Sequence, residues 1–186
     1  MDAIFQSFLL VFASEIGDKT QLLALVLVSR FHKPWTIMLG ILVATVLNHA
    51  LAAFSGEWIA SHINHEILRW VLGMIFIGFA GWILIPDKDD GLNHNEKFGA
   101  FLTTVVAFFL AEMGDKTQLA TAALGAKFAS LTAVTFGTTL GMLAADGLAV
   151  FFGDSITKKI PLKNVRIAAC VIFILFGISI IFGFKG

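Results

Sequence analysis

Six apolar stretches, each long enough to cross a lipid bilayer as a helix, constrain the fold of this chain more than any other feature. A helical span of the hydrocarbon layer needs about 20 predominantly apolar residues. The stretches that meet this requirement lie at residues 4–29, 35–59, 67–85, 98–124, 131–152 and 165–184. Proline, glycine, asparagine and charged residues cluster in the breaks between them, and no break could hold a soluble domain. We therefore predict an all-α polytopic membrane protein with six transmembrane helices.

The charge and cysteine content exclude several classes of protein. With 13 basic and 13 acidic residues the formal net charge is zero, so no bulk positive field is present to recruit nucleic acid. Cys170 is the single cysteine, which excludes an intrachain disulfide and a cysteine cluster for zinc. The first apolar stretch follows Met1 and Asp2 without a basic segment, so we expect it to stay as a helix rather than be cleaved as a signal peptide.

One charged octapeptide occurs twice. Glu15-Ile-Gly-Asp-Lys-Thr-Gln-Leu22 recurs as Glu112-Met-Gly-Asp-Lys-Thr-Gln-Leu119, with seven of eight positions identical at an offset of 97 residues. The same offset relates His49 to Asp146. Each copy contains three predicted spans, an odd number, so the second copy must enter the membrane in the opposite sense. We predict two inverted three-helix repeats, residues 1–86 and 98–186, which form one membrane domain.

The segment 87–97 between the repeats is the most polar part of the chain. Its acidic residues resemble a calcium loop, but the spacing fails, because Gly91 stands at loop position 5 and Phe98 at position 12 where an EF-hand needs ligands. We interpret it as a solvated linker. Lysine and arginine are concentrated in the odd-numbered loops, which places those loops in the cytoplasm. The expected location is a bacterial inner membrane, with both termini in the periplasm.

The repeated motif carries the charges that a bilayer tolerates least. On a continuous helix Glu15, Asp18 and Lys19 would share one face, and the second copy would present the same face. Each such charge costs about 2.5 to 3.5 kcal/mol at the centre of a membrane helix, so pairing or a ligand must offset it. If the two copies meet where the repeats join, as in transporters of this plan, four carboxylates and two ammonium groups lie together. The predicted carboxylate ligands of a cation are Glu15, Asp18, Glu112 and Asp115.

A formal charge near minus two at this site would be neutralised by one divalent cation. Carboxylate and amide oxygens suit hard ions such as Mn²⁺, Mg²⁺ or Ca²⁺, which would be cargo, and no resident cofactor is expected. Gly17 and Gly114 allow either close helix approach or local unwinding that frees carbonyl groups. The motif residues expected to support the site, through charge, neutral oxygens or bridging water, are Lys19, Thr20, Gln21, Lys116, Thr117 and Gln118.

Two further interpretations stay open. The motif could consist only of salt bridges four residues apart, Glu15 with Lys19 and Glu112 with Lys116, that hold two helices together; this leaves the duplicated Asp, Thr and Gln without a role. Asp146 lies within the fifth span, and its repeat partner His49 follows Asn48 in the second. These residues could relay protons, complete a coordination shell, or form an interhelical hydrogen bond.

With its two intact Glu-x-Gly-Asp-Lys-Thr motifs, the chain resembles a family of small membrane proteins that contains the bacterial MneA manganese exporters and the Golgi calcium and manganese proton exchangers. The resemblance covers essentially the whole chain. It implies export of Mn²⁺, or of Ca²⁺, in exchange for protons, with Glu15, Asp18, Glu112 and Asp115 as metal-binding carboxylates. The residues alone indicate only a hard divalent cation; the resemblance supplies the direction and the metal.

Two other functions compete with cation export. An exporter of amino acids or other cationic metabolites would share the duplicated plan, but its pocket would need more room and an aromatic or amide lining. An intramembrane aspartyl protease also uses two membrane aspartates. Here a lysine follows each aspartate, and its charge would hold the carboxylate ionised and prevent the shared proton that such a dyad needs. The oligomeric state does not follow from the sequence.

Overall fold

The computed structural model describes residues 2–85, 99–153 and 162–183, and every regular element within these ranges is an α-helix. The helices are α1 (Asp2–Glu15), α2 (Lys19–Phe31), α3 (Pro34–Ala60), α4 (His65–Ile83), α5 (Ala100–Glu112), α6 (Lys116–Phe128), α7 (Leu131–Phe152) and α8 (Leu162–Gly183). In α3, α4, α7 and α8 the length and hydropathy suffice to cross a membrane. The predicted all-α membrane class is confirmed at this level. The linker 87–97, with its calcium-loop reading, lies outside the described residues.

The first and fourth predicted spans are not continuous helices, and on this point the sequence prediction was wrong. Helix α1 ends at Glu15 and α2 begins at Lys19, while α5 ends at Glu112 and α6 begins at Lys116. Each break contains a glycine in the left-handed region, with φ of 81° at Gly17 and 79° at the equivalent residue of the second copy. Glycine adopts this conformation without the steric penalty that other residues meet. The motif therefore encodes an interruption, and both copies carry it.

The sequence repeat is visible in the packing of the helices. On α3, Gly40 lies so close to α5 that a Cβ there would be 2.7 Å from the Thr104 Cβ. On α7, Gly137 approaches α1 in the same way, and a Cβ there would be 2.9 Å from the Ser7 Cβ. Gly137 is 97 residues after Gly40, and Ser7 is 97 residues before Thr104, so the two contacts are equivalent in the repeat. Small residues permit such close approach of membrane helices, and here they dock α5 on α3 and α1 on α7.

The helix bundle has two ends, which we name by equivalent residues. His32 terminates α2 with φ of 52° and Ala129 terminates α6 with φ of 46°, each in the left-handed conformation. The backbone N–H of Leu131, at the start of α7, donates to Oε2 of Glu57 near the end of α3 at 3.0 Å. Helix α7 therefore begins where α3 ends. The His32 end and the Ala129 end are consequently opposite ends of the long helix α3.

The two ends are sealed differently. At the Ala129 end α3 and α6 meet backbone to backbone, since a Cβ on Gly56 would overlap the Ala122 carbonyl and one on Gly125 the Ala53 carbonyl. At the His32 end α2 and α7 are joined through side chains of an apolar cluster that includes Ala24, Leu27, Ala149 and Val150. Gly153, the repeat partner of Gly56, has no atom of the described residues within 4 Å of the position its Cβ would take. The repeats are thus equivalent in sequence but unequal in packing.

Helices α4 and α8 pack against each other beside this arrangement. They cross at Gly73 and Gly177, and the Phe76 and Phe176 rings meet edge to face with centroids 4.8 Å apart. A core of apolar side chains continues from this pair to α6. Helices α4 and α8 therefore support the Ala129 end of α6, while large apolar residues along their other faces are exposed, as expected of surfaces in contact with lipid.

Candidate metal centre

The two helix breaks face each other inside the protein. Glu15 and Glu112 occupy the last turns of α1 and α5, while Asp18 and Asp115 immediately precede α2 and α6. These four carboxylates, the predicted metal ligands, are buried, with exposed fractions between 0 and 7%. Carbonyl groups at helix C-termini favour cations, and membrane transporters use such broken helices to line ion sites. The structure therefore brings the four predicted ligands to one buried polar layer.

Each motif lysine forms its ion pair with the other repeat. The Lys116 Nζ lies 2.7 Å from the Asp18 Oδ1, and the Lys19 Nζ lies 3.4 Å from the Asp115 Oδ1. Since the chain is interrupted between Glu15 and Lys19, these residues do not share one helical face, and each lysine reaches an aspartate of the other repeat. Neither aspartate caps its own helix with its side chain, although both stand at the N-cap position. Each aspartate is therefore paired with a lysine of the other repeat.

The glutamates are not equivalent. The Thr20 hydroxyl donates to Oε2 of Glu15 at 2.8 Å, and the Thr117 hydroxyl of the other repeat donates to Oε1 of the same carboxylate. Glu112, only 1% exposed, has no hydrogen-bond donor to either carboxylate oxygen among the described residues. A buried carboxylate without such partners costs several kcal/mol unless a proton or a cation compensates it. Glu112 is therefore one of the positions at which the site needs a positive charge.

The two glutamines hold the helix breaks. The side-chain oxygen of Gln21 accepts from the Gly17 N–H at 2.9 Å, and that of Gln118 accepts from the Gly114 N–H at 2.6 Å. The Gln21 amide also donates to the Ala145 carbonyl of α7 at 2.6 Å. In this geometry the glutamine oxygens satisfy backbone groups that the interrupted helices expose, so they stabilise the break instead of facing an ion.

Asp146 joins the buried acidic group. It is fully buried on α7, lies beside the Thr20 hydroxyl and interacts electrostatically with Glu15 and Glu112. Its repeat partner His49 is fully buried on α3, and both ring nitrogens lack a hydrogen-bond partner among the described residues. The neighbouring Asn48 amide donates to the Phe109 carbonyl of α5 at 3.1 Å, so part of the predicted Asn48 role is an interhelical hydrogen bond.

The charges of the centre do not balance. Five buried carboxylates, with Asp146 added to the four motif residues, oppose the ammonium groups of Lys19 and Lys116, which gives a formal charge of minus three when all are ionised. In this geometry no three histidine, cysteine or acidic residues of the described ranges are grouped closely enough to hold a metal ion. A cation that binds here must therefore compete with the lysines and draw the carboxylates together.

Two buried hydroxyl groups outside the motif, those of Thr45 and Thr121, were not predicted from the sequence. Thr45 lies one helical turn before His49 on α3, and Thr121 lies one turn after Thr117 on α6; the structure gives neither hydroxyl a partner among the described residues. The signal was available, because residues four apart on a helix share a face. A hydroxyl group so placed beside a motif residue can supply a further neutral oxygen.

A cavity of about 520 Å³ lies apart from this polar layer, between α3, α4 and α6. Apolar side chains and glycines line it, among them Leu68, Phe79, Trp82 and Leu119. Its lining has no charged side chain, and the Trp82 indole is the one hydrogen-bonding side chain among the lining residues. The polar chemistry of the described chain is therefore concentrated at the two breaks.

Long apolar helices, together with two interrupted helices that meet at buried acidic motifs, define a multi-pass membrane transporter. Comparison with known families gives the particular one. A family model for the divalent cation/proton antiporter GDT1 matches residues 3–91 and 100–185, which is almost the whole chain. The chain belongs to this family, and the family resemblance read from its motifs is confirmed.

Individual relatives agree with this assignment. The chain is 46% identical to a Vibrio cholerae protein named "Putative manganese exporter" over 98% of this chain and 92% of that protein. It is 24% identical to GDT1-like protein sll0615 of Synechocystis over 96% of each chain. It is also 27% identical to GDT1-like protein 3 of Oryza sativa subsp. indica, over 96% of this chain and 73% of the rice protein. No solved structure matches the chain.

Proposed function

We propose that this protein exports divalent cations, Mn²⁺ foremost and Ca²⁺ as the alternative, in exchange for protons. The observation that carries the proposal is a buried polar layer in which the four carboxylates of the two helix breaks, together with Asp146 of α7, outnumber the two paired lysines. Oxygen-rich sites of this kind suit hard cations. Membership of the antiporter family and similarity to a protein named as a manganese exporter support the same function.

Proton coupling follows from competition for the same oxygens. A carboxylate that binds a metal ion must be deprotonated, so metal binding releases protons and proton binding releases metal. With a formal charge of minus three, one divalent cation leaves a residual charge of minus one. Glu112 and Asp146, whose oxygens receive no hydrogen bond from the described residues, are the carboxylates at which this exchange matters most.

The transport cycle we propose is alternating access between two inverted repeats of three spans each. In this topology α1 with α2, and α5 with α6, form one interrupted span apiece. The unequal seals support the cycle: α3 and α6 are in backbone contact at the Ala129 end, whereas their counterparts α7 and α2 are joined by side chains. In the opposite state α7 and α2 would be in backbone contact, and α3 and α6 would be joined by side chains. By the distribution of lysine and arginine, the His32 end faces the cytoplasm of a bacterial cell and the Ala129 end the periplasm.

Purified protein in liposomes that contain a pH-sensitive dye tests this function. When Mn²⁺ is added outside, entry of the metal should expel protons and make the interior more alkaline. A double variant, Glu15→Gln with Glu112→Gln, should lose both the metal flux and the pH change. Metal flux without a pH change would indicate a uniporter, and an absence of metal flux in the unmodified protein would contradict the proposal.

The competing functions receive less support from the geometry. An exporter of cationic metabolites would need a roomy polar pocket, and the cavity beside α4 is apolar. Each motif aspartate is paired with a lysine, which disfavours the shared-proton dyad of an aspartyl protease. A metal-sensitive deletion strain rescued by the unmodified chain but not by Asp18→Asn would favour cation export. Rescue from an amino-acid analogue would favour the metabolite exporter.

A further inference from the structure

His49 occupies a special place in the repeat. The approximate twofold symmetry that exchanges the motifs exchanges Glu15 with Glu112, Thr20 with Thr117, and Asp146 with His49. Asp146 lies beside Thr20 and close to Glu15. The same symmetry therefore places His49 toward Thr117 and Glu112, on the opposite side of the polar layer.

Contacts along α3 lead to the same placement. Asn48 donates to the Phe109 carbonyl, one turn before Glu112, so this part of α3 is level with the break between α5 and α6. Ala53, one turn beyond His49 and on the same side of α3, touches Gly125 of α6. His49 therefore lies on the face of α3 that packs against α6, at the level of the break between α5 and α6.

His49 and Glu112, which the contact of Asn48 with Phe109 places at the same level of the bundle, are both unsatisfied. His49 is fully buried with neither ring nitrogen hydrogen-bonded, and Glu112 is 1% exposed with neither carboxylate oxygen hydrogen-bonded, among the described residues. A buried imidazole with two free nitrogens is costly in an apolar interior. A metal ion shared by a ring nitrogen and a carboxylate oxygen would satisfy both groups.

We propose that His49 ligates the transported cation through a ring nitrogen, together with Glu112, and thereby selects transition-metal ions over Ca²⁺ and Mg²⁺. The inference rests on the proposed cation transport. Ca²⁺ and Mg²⁺ take oxygen ligands, whereas imidazole suits first-row transition metals. A site with aspartate in place of His49 as well as at Asp146 would discriminate less between these two classes of ion. The histidine gives this chain its preference for transition metals.

Electron spin echo spectroscopy of Mn²⁺ bound to the purified protein tests the proposal directly, because a coordinated imidazole nitrogen modulates the echo. The unmodified protein should show this nitrogen signal, and His49→Gln should abolish it and weaken Mn²⁺ binding at least about tenfold. Ca²⁺ binding should change by less than about twofold. His62→Gln is the matched control, since His62 is exposed and bonds only near its own loop; it should leave the signal and both affinities unchanged.

A second variant separates ligation from folding. His49→Asp supplies an oxygen ligand and restores the symmetry with Asp146, so it should bind Mn²⁺ without the nitrogen signal and bind Ca²⁺ more tightly than the unmodified protein. Bound Mn²⁺ without a nitrogen signal in the unmodified protein would overturn the role of His49 while leaving cation transport intact. Equal losses of Mn²⁺ and Ca²⁺ binding in both variants would overturn it as well, and no Mn²⁺ binding by the unmodified protein would overturn both proposals.

Discussion

At the scale of residues, the two cross-repeat ion pairs are chemically alike but differ in environment. Lys116 is 6% exposed and 2.7 Å from Asp18, whereas Lys19 is 22% exposed and 3.4 Å from Asp115. Loss of one partner from a buried ion pair costs about 3 to 5 kcal/mol, because the remaining charge stays in a medium that solvates it poorly. Water near a more exposed pair reduces this cost.

We therefore expect Asp18→Asn to lower the melting temperature of the detergent-solubilised protein clearly more than Asp115→Asn does. Both variants should lose cation transport, since both aspartates belong to the centre. Replacing Lys116 with Met in the Asp18→Asn protein should recover part of the lost stability, because no unbalanced ammonium group is then left buried. Equal melting temperatures for the two single variants would show that the two ion pairs are energetically equivalent.

At the scale of elements, the contact between α3 and α6 is the tightest feature of the Ala129 end. Gly56 and Gly125 allow backbone contact that no larger residue permits. A methyl group added at either position would force the two helices apart, since the opposing atoms belong to the backbone and cannot rotate away.

Gly56→Ala should therefore open the Ala129 end and slow transport several-fold or more. A cysteine at Ala53, in a protein whose native Cys170 is replaced by Ser, reports this opening through faster labelling by a water-soluble maleimide. Gly81→Ala is the matched control, because no atom lies within 4 Å of a Cβ at that helical position. Unchanged labelling and transport in the Gly56→Ala protein would show that this contact does not gate the site.

The helix breaks also show how far the sequence could predict the site. The duplicated motif predicted that Glu15, Asp18, Glu112 and Asp115 lie together, because unpaired charges in an apolar chain must find partners. The structure places all four in one buried layer. It did not predict the pairing across the repeats, since that depends on whether the chain unwinds at Gly17. The apolar residues on both sides of this glycine together give the length of one span, so a continuous helix and a broken one satisfy the same criterion.

At the scale of the whole molecule, symmetry of sequence and asymmetry of structure coexist. The contact of Gly40 with Thr104 and that of Gly137 with Ser7 are equivalent. The hydroxyls of Thr20 and Thr117, however, both donate to Glu15, and among the described residues neither donates to Glu112. A repeated sequence cannot indicate which copy adopts which arrangement. The predicted spans at 35–59, 67–85 and 131–152, by contrast, agree with the bounds of α3, α4 and α7 to within a few residues, because length and hydropathy decide them.

The proposed inverted topology makes a prediction about the two bundle ends. His32 and Ala129 are equivalent residues in exposed or half-buried caps at opposite ends of α3. In whole cells that express a variant without Cys170, a cysteine at Ala129 should react with a membrane-impermeant maleimide, and one at His32 should react only after the membrane is permeabilised. Labelling of both positions from the same side would contradict two inverted repeats.

The exchange of ion-pair partners between the motifs also bears on how such a chain could have evolved. Each lysine is neutralised by an aspartate of the other copy, so a mutation in one motif creates an imbalance in the second. A change at these positions in one copy therefore favours a matching change in the other. Such mutual dependence would help to keep the two motifs alike, and they share seven of eight residues.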